Sequence, residues 1–388
     1  MPEARRILIS QPLTGEEEWQ AVKEPLMTGW LTQGPKVAEL EKAFAARHKV
    51  KHAYSCTNCT AGLHLCLCAL GVGPGDEVIV PSFTWVSSAN AVMYCGAKPV
   101  LADVNTTTYT LDPAEVARKV TPRTKAVVAV HLFGLCADID AIKAAAPNAA
   151  IVEDSACASG ASYKGVPAGG LGSIAAFSFH PRKSVTCGEG GMVTTNDDAL
   201  GAIVNSLRNH GASISEEQRH AGPRPYLLPE FNMLGFNYRM TDLQGAVAMV
   251  QLAKLDAFIA ERAKWAQYYR RELANIKWLR LPEQPDGYGH GWQSFVTFVD
   301  PASAPMPRND IMELLQARGI ATRPGTHAVH MLGYYRQTFG YQIDDLPGSR
   351  DCDLHTMAIP LHNRMSSEDF AYVVDALRQI DSQGKKQK

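Results

Sequence analysis

The sequence predicts an α/β protein: a large domain built on a mixed, mostly parallel sheet flanked by helices, followed by a smaller α+β region. Three observations carry this. Short apolar runs alternate with helix-period segments between residues 77 and 195, the rhythm of a sheet covered on both faces. A long amphipathic stretch, about Thr241 to Ile276, then suits a spine joining two domains. After it the chain holds only short strand-like segments and a terminal helix. The expected division is 1–250 for the large domain and 251–388 for the small one.

The elements follow in order. Residues 35–49 place Val37, Leu40 and Phe44 at helical spacing, and a second helix is expected from Thr60 to Leu70. It ends at the turn G-V-G-P-G-D, residues 71–76. Strands are expected at Glu77–Val80, Pro99–Val104, Ala126–His131, Ala150–Glu153, Ile174–Phe179 and Gly191–Thr195. Helices are expected between them at Ser87–Tyr94, Pro113–Val120 and Ile139–Ala146. Residues 211–231, rich in Gly, Pro, Ser and charge, read as a loop. Strand-like segments at Ser294–Val299 and Ile320–Arg323 and a helix over Ser367–Ile380 complete the chain.

Composition excludes several classes of partner. Thirty-eight Lys and Arg stand against 39 Asp and Glu, a formal charge of −1, so no strong field invites nucleic acid or an anionic membrane. The basic run near the C-terminus reads as a solvated end. The first ten residues lack the apolar core of a signal peptide, and no run approaches the roughly 20 apolar residues that span a bilayer. Nine scattered cysteines, an odd number, point to reduced thiols and a cytoplasmic location.

Four segments carry chemistry. In F-S-F-H-P-R-K-S-V-T-C-G-E-G-G, residues 177–191, a strand runs into Lys183 and glycines frame the turn back. A lysine that must lose its proton belongs in a desolvated site near other positive charge, here Arg182; a surface-loop lysine is the plainer alternative. In A-A-I-V-E-D-S-A, residues 149–156, Glu153 and Asp154 end a buried strand, the edge where α/β sheets bind ligands. A carboxylate there can keep a pyridine nitrogen protonated, or can simply cap a helix. In S-C-T-N-C-T-A, residues 55–61, small polar residues open a helix, a natural seat for a phosphate. Ser178 offers a hydroxyl, and Trp85 is either a stacking surface or core.

Taken together, these motifs make the chain resemble the DegT-type nucleotide-sugar aminotransferases, a branch of the fold-type-I pyridoxal-phosphate enzymes. The resemblance runs from about residue 8 to 380. It rests on T-G-W-L-T-Q-G-P-K-V at 28–37, G-V-G-P-G-D-E-V-I-V-P-S-F-T-W-V-S at 71–87, G-A-K-P-V at 96–100 and V-E-D-S-A at 152–156. F-S-F-H-P-R-K at 177–183, G-E-G-G-M-V-T-T-N-D at 188–197 and G-F-N-Y-R-M-T-D-L-Q at 235–244 complete it.

The resemblance implies pyridoxal 5'-phosphate as cofactor, with pyridoxamine 5'-phosphate as its amino-bearing form. Lys183 falls on the Schiff-base lysine, Asp154 on the partner of the pyridine nitrogen and Trp85 on the stacking ring. Asn58, Cys59, Thr60 and Ser178 fall on the phosphate pocket. Asn237 falls on a residue that reaches the neighbouring subunit's cofactor, which implies a homodimer with shared sites. The implied reaction moves an amino group from a donor, L-glutamate by likeness, to a nucleotide-linked keto sugar for amino-sugar, glycoside or surface-polysaccharide synthesis. Two departures stand out: Cys157 occupies a position usually His or Gln beside the cofactor, and T-H-A-V-H at 326–330 replaces an aromatic-and-proline segment, making His327 and His330 substrate candidates.

Rival readings are weighed against this one. Cys56-x2-Cys59 with His64, Cys66 and Cys68 suggests zinc, but the later residues fall in an apolar helical run where Cys66 and Cys68 face different sides, so no metal is expected. The glycines at 71–75 precede a strand, unlike a dinucleotide fingerprint. An aminotransferase acting on other keto acids or keto sugars, or a non-enzymatic regulator on the same fold, are the remaining alternatives.

Overall fold

The computed structural model describes residues 5–387, apart from 215–221, 223 and 225. Its centre is a seven-stranded sheet made of β1 (His52–Cys56), β2 (Glu77–Pro81), β3 (Lys98–Ala102), β4 (Thr124–Val130), β5 (Ala150–Asp154), β6 (Ile174–Ser178) and β7 (Gly191–Thr195). The spatial order is β1-β7-β6-β5-β4-β2-β3. All pairings from β6 to β3 are parallel, whereas β7 runs antiparallel to both β6 and β1. Strands β2, β6 and β7 are buried along their whole length, as expected where helices cover both faces.

Helices α1 (Pro35–His48), α2 (Cys59–Ala69), α3 (Ser87–Tyr94), α4 (Pro113–Lys119), α5 (Ile139–Ala145) and α6 (Asp198–Leu207) flank it. Asn58, Asp112, Asp138 and Asp197 cap four of these by accepting first-turn amides. Helix α1 is closed from a distance: the Asp242 carboxylate accepts from the amides of Gly34, Lys36 and Val37 at 2.9–3.1 Å.

The expected spine is α7 (Asp242–Glu272), opened by a Thr241/Gln244 capping box. Among the described residues it is the one helix long and apolar enough to cross a membrane. It packs instead on protein: Ala248, Leu252 and Leu255 join the core beneath α1 and β7. Further along, Ala266, Tyr269 and Leu273 join a second core with Phe295, Phe370 and Leu377. The position 250/251 thus lies within this helix. The second core sits on a three-stranded antiparallel sheet of β8 (Leu279–Arg280), β9 (Phe295–Val299) and β10 (Thr356–Ile359), with α8 (Arg308–Ala317) and α9 (Ser367–Gln387) against it.

Two details differ from the expectations. His52–Cys56 is a strand because β7 pairs with it residue for residue. Residues 320–323 form only isolated bridges, Ile7 with Ile320 and Arg323 with Ala358, and the strand's place is taken by Thr356–Ile359. The loop expected at 211–231 lies partly outside the described residues.

Candidate active site

The parallel strands β4, β5 and β6 end along one edge, and the chemistry-bearing segments converge there. Asp154 is the last residue of β5 and is paired with Val130 and Ala176. Its carboxylate accepts from Ser88 Oγ at 2.7 Å and from the Ala156 amide at 3.2 Å, and it is 5% exposed. Two donors fix its orientation and leave lone-pair capacity for a third. Ser88 is a site residue that sequence reasoning missed. It stands in the first turn of α3, three residues after Trp85, and its hydroxyl also contacts Thr84 Oγ1 and the Trp85 carbonyl.

The neighbouring Glu153 points to the opposite face, as strand geometry requires. It is fully buried and accepts from the amides of Gly169, Leu171 and Gly172 at 2.6–2.8 Å. His131 completes the clamp at 3.0 Å. Because His131 Nδ1 accepts the Ala137 amide, its Nε2 carries the proton and donates to Glu153. Burial pushes the Glu153 carboxyl upward, but His131 and the loop amides outweigh it and hold the pKa below the usual range. Glu153 therefore ties the 169–172 loop to the sheet and is not available to a ligand.

Lys183 follows β6 in a turn closed by its own amide on the His180 carbonyl. Its Nζ donates to Cys157 Sγ at 3.1 Å. Burial favours the neutral amine, yet the contact with Cys157 and the nearby Asp154 carboxylate act the other way, and the pKa is raised above its ordinary value. The expected positive neighbour, Arg182, is not what governs Lys183. Arg182 is exposed, its carbonyl accepts from Gln293 Nε2, and its charge acts on Arg323. Arg323, also missed from sequence, is half-buried with its Nε unpartnered, and Cys157 lies within its electrostatic reach. It reaches the site through its backbone bridge to β10, a long-range pairing that no local pattern announces.

At the start of α2 the Asn58 side chain caps Ala61, and the first-turn amides of Cys59 and Thr60 have no intrahelical acceptor. Thr60 Oγ1 donates to Ser87 Oγ at 2.9 Å. The Cys59 thiol is buried, and burial drives its pKa well up, so this residue offers its amide and not its sulfur. Gly191 lets β7 press against this turn: a Cβ there would lie 2.8–2.9 Å from Asn58 and Cys59 backbone atoms. Ser178, opposite Gly191 in the ladder, is nearly buried.

Trp85 is 60% exposed, an unusual state for an indole beside a sheet edge. The segment His327–Ala328 pairs antiparallel with Phe83–Thr84, which brings the exposed His327 ring to 5.8 Å from Trp85. His330 does not join them. It is fully buried, bonded to Ser82 Oγ at 2.8 Å and to the Ile343 carbonyl at 3.0 Å. With both ring nitrogens satisfied it is a core histidine, and the expectation that it meets substrate is corrected. Asn237 is exposed, in a segment whose neighbours pack so closely that a Cβ on Gly211 would lie 2.0 Å from the Met233 carbonyl.

The donor set fits pyridoxal phosphate. An enclosed amine, a carboxylate with spare capacity, an exposed indole and a helix N-terminus lie around one edge, and each has an open valence where the cofactor's aldehyde, ring nitrogen, ring face and phosphate would bind.

The comparisons agree with this geometry. TlmJ of Streptoalloteichus hindustanus, an aminotransferase, is 32% identical over 97% of this chain and 99% of its own, with a TM-score of 0.88. An aminotransferase of Psychrobacter cryohalolentis is 28% identical over 96% and 98%, with a TM-score of 0.91. Spr1654 of Streptococcus pneumoniae, assigned as a sugar aminotransferase and solved in PLP and PMP forms, is 25% identical. Its PLP form aligns over 98% of this chain and 100% of its own, with a TM-score of 0.90. The sequence profile of the DegT/DnrJ/EryC1/StrS aminotransferase family matches residues 12–378, and the chain belongs to that family.

Proposed function

We propose that this sugar aminotransferase transfers an amino group from L-glutamate to a keto sugar carried on a nucleotide, with Lys183 and Asp154 as its catalytic residues. The observation that carries the reading is their convergence: Asp154 ends β5 with a free acceptor position, and Lys183 Nζ is enclosed at the same edge. When bound, pyridoxal phosphate supplies an electron sink and, in its pyridoxamine form, carries nitrogen between the two half-reactions. Asp154 holds a proton on the pyridine nitrogen, since an opposite charge favours the protonated ring. Ser88 orients that carboxylate. Lys183 Nζ would take the proton from the substrate carbon that bears the nitrogen and give it up on the far side of that nitrogen.

Trp85 covers one face of the ring, and Ser178 with the Asn58–Thr60 turn holds the phosphate. Cys157 stands against Lys183 Nζ, at the position where the phenolic oxygen would otherwise meet His or Gln. Arg323, backed by Arg182, provides the cationic seat that a dicarboxylate donor needs. His327 lies on the rim beside Trp85, where a bulky acceptor enters.

The enzyme works as a homodimer, with Asn237 crossing to the partner's cofactor. Supporting this, Tyr226, Leu228, Phe231 and Leu234 are 61–89% exposed in the same stretch, more apolar surface than an isolated chain usually leaves in one segment. All nine cysteines are free thiols, in keeping with a cytoplasmic enzyme supplying amino sugars for polysaccharide or glycoside assembly.

The decisive experiment offers nucleotide-linked 3-keto and 4-keto sugars, free keto sugars and simple keto acids with L-glutamate and reads products by mass. Amination of a nucleotide-linked sugar is expected. Turnover confined to free sugars or keto acids would replace the substrate assignment, and no turnover with intact cofactor binding would favour a regulator.

A further inference from the structure

The cysteines that the sequence placed near a histidine are sorted by the fold into two groups. Cys56, Cys59 and Cys66 are 0–8% exposed and point into the core between α2 and the sheet. Cys68 and His64 lie one turn apart on another face of α2, the i,i+4 spacing that brings two side chains together. Cys95, the C-cap residue of α3, meets them across the α2–α3 contact. One ring nitrogen of His64 and the two sulfurs all lie within 4.8 Å of one another.

We propose that His64, Cys68 and Cys95 form a binding site for a thiophilic divalent ion, zinc by its ligand chemistry, separate from the cofactor crevice. The sulfur spacing is the first argument. Cys68 Sγ and Cys95 Sγ are 3.8 Å apart. Two thiolates at about 2.3 Å from a tetrahedral zinc stand roughly 3.8 Å from each other, so that spacing needs no rearrangement. A disulfide would require the sulfurs to close to about 2.05 Å.

Orientation is the second argument. Ligating imidazoles are normally held by an outer partner, and Tyr238 Oη lies 3.2 Å from His64 Nδ1. Phe236 and Tyr94 pack against the same ring at 4.8 and 5.9 Å. Access is the third: both sulfurs are only half-buried, so an ion can enter and water can take the fourth position. Three chain segments meet here, α2, α3 and residues 236–238. A bound ion would pin α2, whose other end carries the Asn58–Thr60 turn, against its neighbours.

The test uses the reduced, cofactor-loaded, untagged full chain, incubated with excess Zn²⁺, desalted and analysed for metal. About one zinc per chain is expected, with Zn²⁺ raising the melting temperature through selective binding to the native state. Cys68→Ser and Cys95→Ser should each lose the bound zinc and the thermal shift, while Cys187→Ser keeps both. Cobalt(II) in place of zinc should give thiolate charge-transfer absorption that either serine variant abolishes. His64→Gln should weaken retention in the same direction, a check if one cysteine variant folds poorly. Zinc-free wild-type protein after loading, or zinc that survives both serine substitutions, overturns the site. A Cys68–Cys95 disulfide mapped by peptide mass in the freshly reduced chain also overturns it, assigning the pair to redox chemistry.

Discussion

Adjacent carboxylates on β5 serve opposite faces of the sheet, and the contrast between those faces separates structure from chemistry. On Glu153's side the carboxylate itself is saturated: three loop amides and His131 converge on it. On Asp154's side the groups are held but not saturated. Asp154 has two donors, Lys183 has one sulfur partner, Arg323 Nε has none, and Trp85 faces solvent. A saturated buried cluster stabilises a fold, since each unmet group would cost about 1–3 kcal/mol. A face with aligned but unfilled valences is what a ligand completes.

Lys183→Ala gives the largest expected effect on this contrast. Turnover should fall by roughly 10⁴-fold, on the order of 5 kcal/mol, with little change in melting temperature. Borohydride fixation of the cofactor to any other lysine would break the assignment of the open face. Asp154→Asn and Glu153→Gln should then separate cleanly. The first is expected to keep the cofactor and lose about 10²-fold in rate, about 3 kcal/mol of barrier, seen as slowed proton transfer in stopped flow.

The second is expected to lose on the order of 3 kcal/mol of stability while its folded fraction turns over normally. Its pH profile sharpens the point. Glu153 has a depressed native pKa, so its stabilisation is complete above the ordinary carboxyl value of 4.5 and is lost as pH falls through the lower native value. The acid limb of the melting-temperature profile should therefore be shallower in Glu153→Gln than in wild type. Similar acid limbs in the two proteins would place the clamp elsewhere.

Arg323→Gln is the smallest change. KM for L-glutamate should rise about tenfold with kcat little altered; an unchanged KM would remove Arg323 from the donor seat.

Much of this arrangement was readable in order along the chain. Apolar runs placed β2 through β7, the sheet-edge rule put a carboxylate of the Glu153–Asp154 pair where ligands bind, and the family resemblance gave Lys183 and Ser178 their roles. What escaped depends on distant pairing. His52–Cys56 mixes polar and apolar side chains and becomes a strand through its full register with β7. Ser88 looked like any helix-opening serine until β5 brought Asp154 to it. His330 looked like a site residue because it shares with His327 the segment that departs from the family pattern, yet the fold carries one ring to the rim and the other into the core.

The sequence by itself determined the α/β alternation and the residue types that the chemistry needs, because hydrophobic periodicity acts within a few residues. Only the tertiary structure decided which of two adjacent carboxylates faces the site, that Cys157 is the sulfur against Lys183, that Arg323 reaches the crevice from the C-terminal region, and that Cys68 meets Cys95 instead of Cys66. Those choices depend on strand register and helix packing between segments far apart in the chain, and no local pattern encodes which side chains such packing brings into contact.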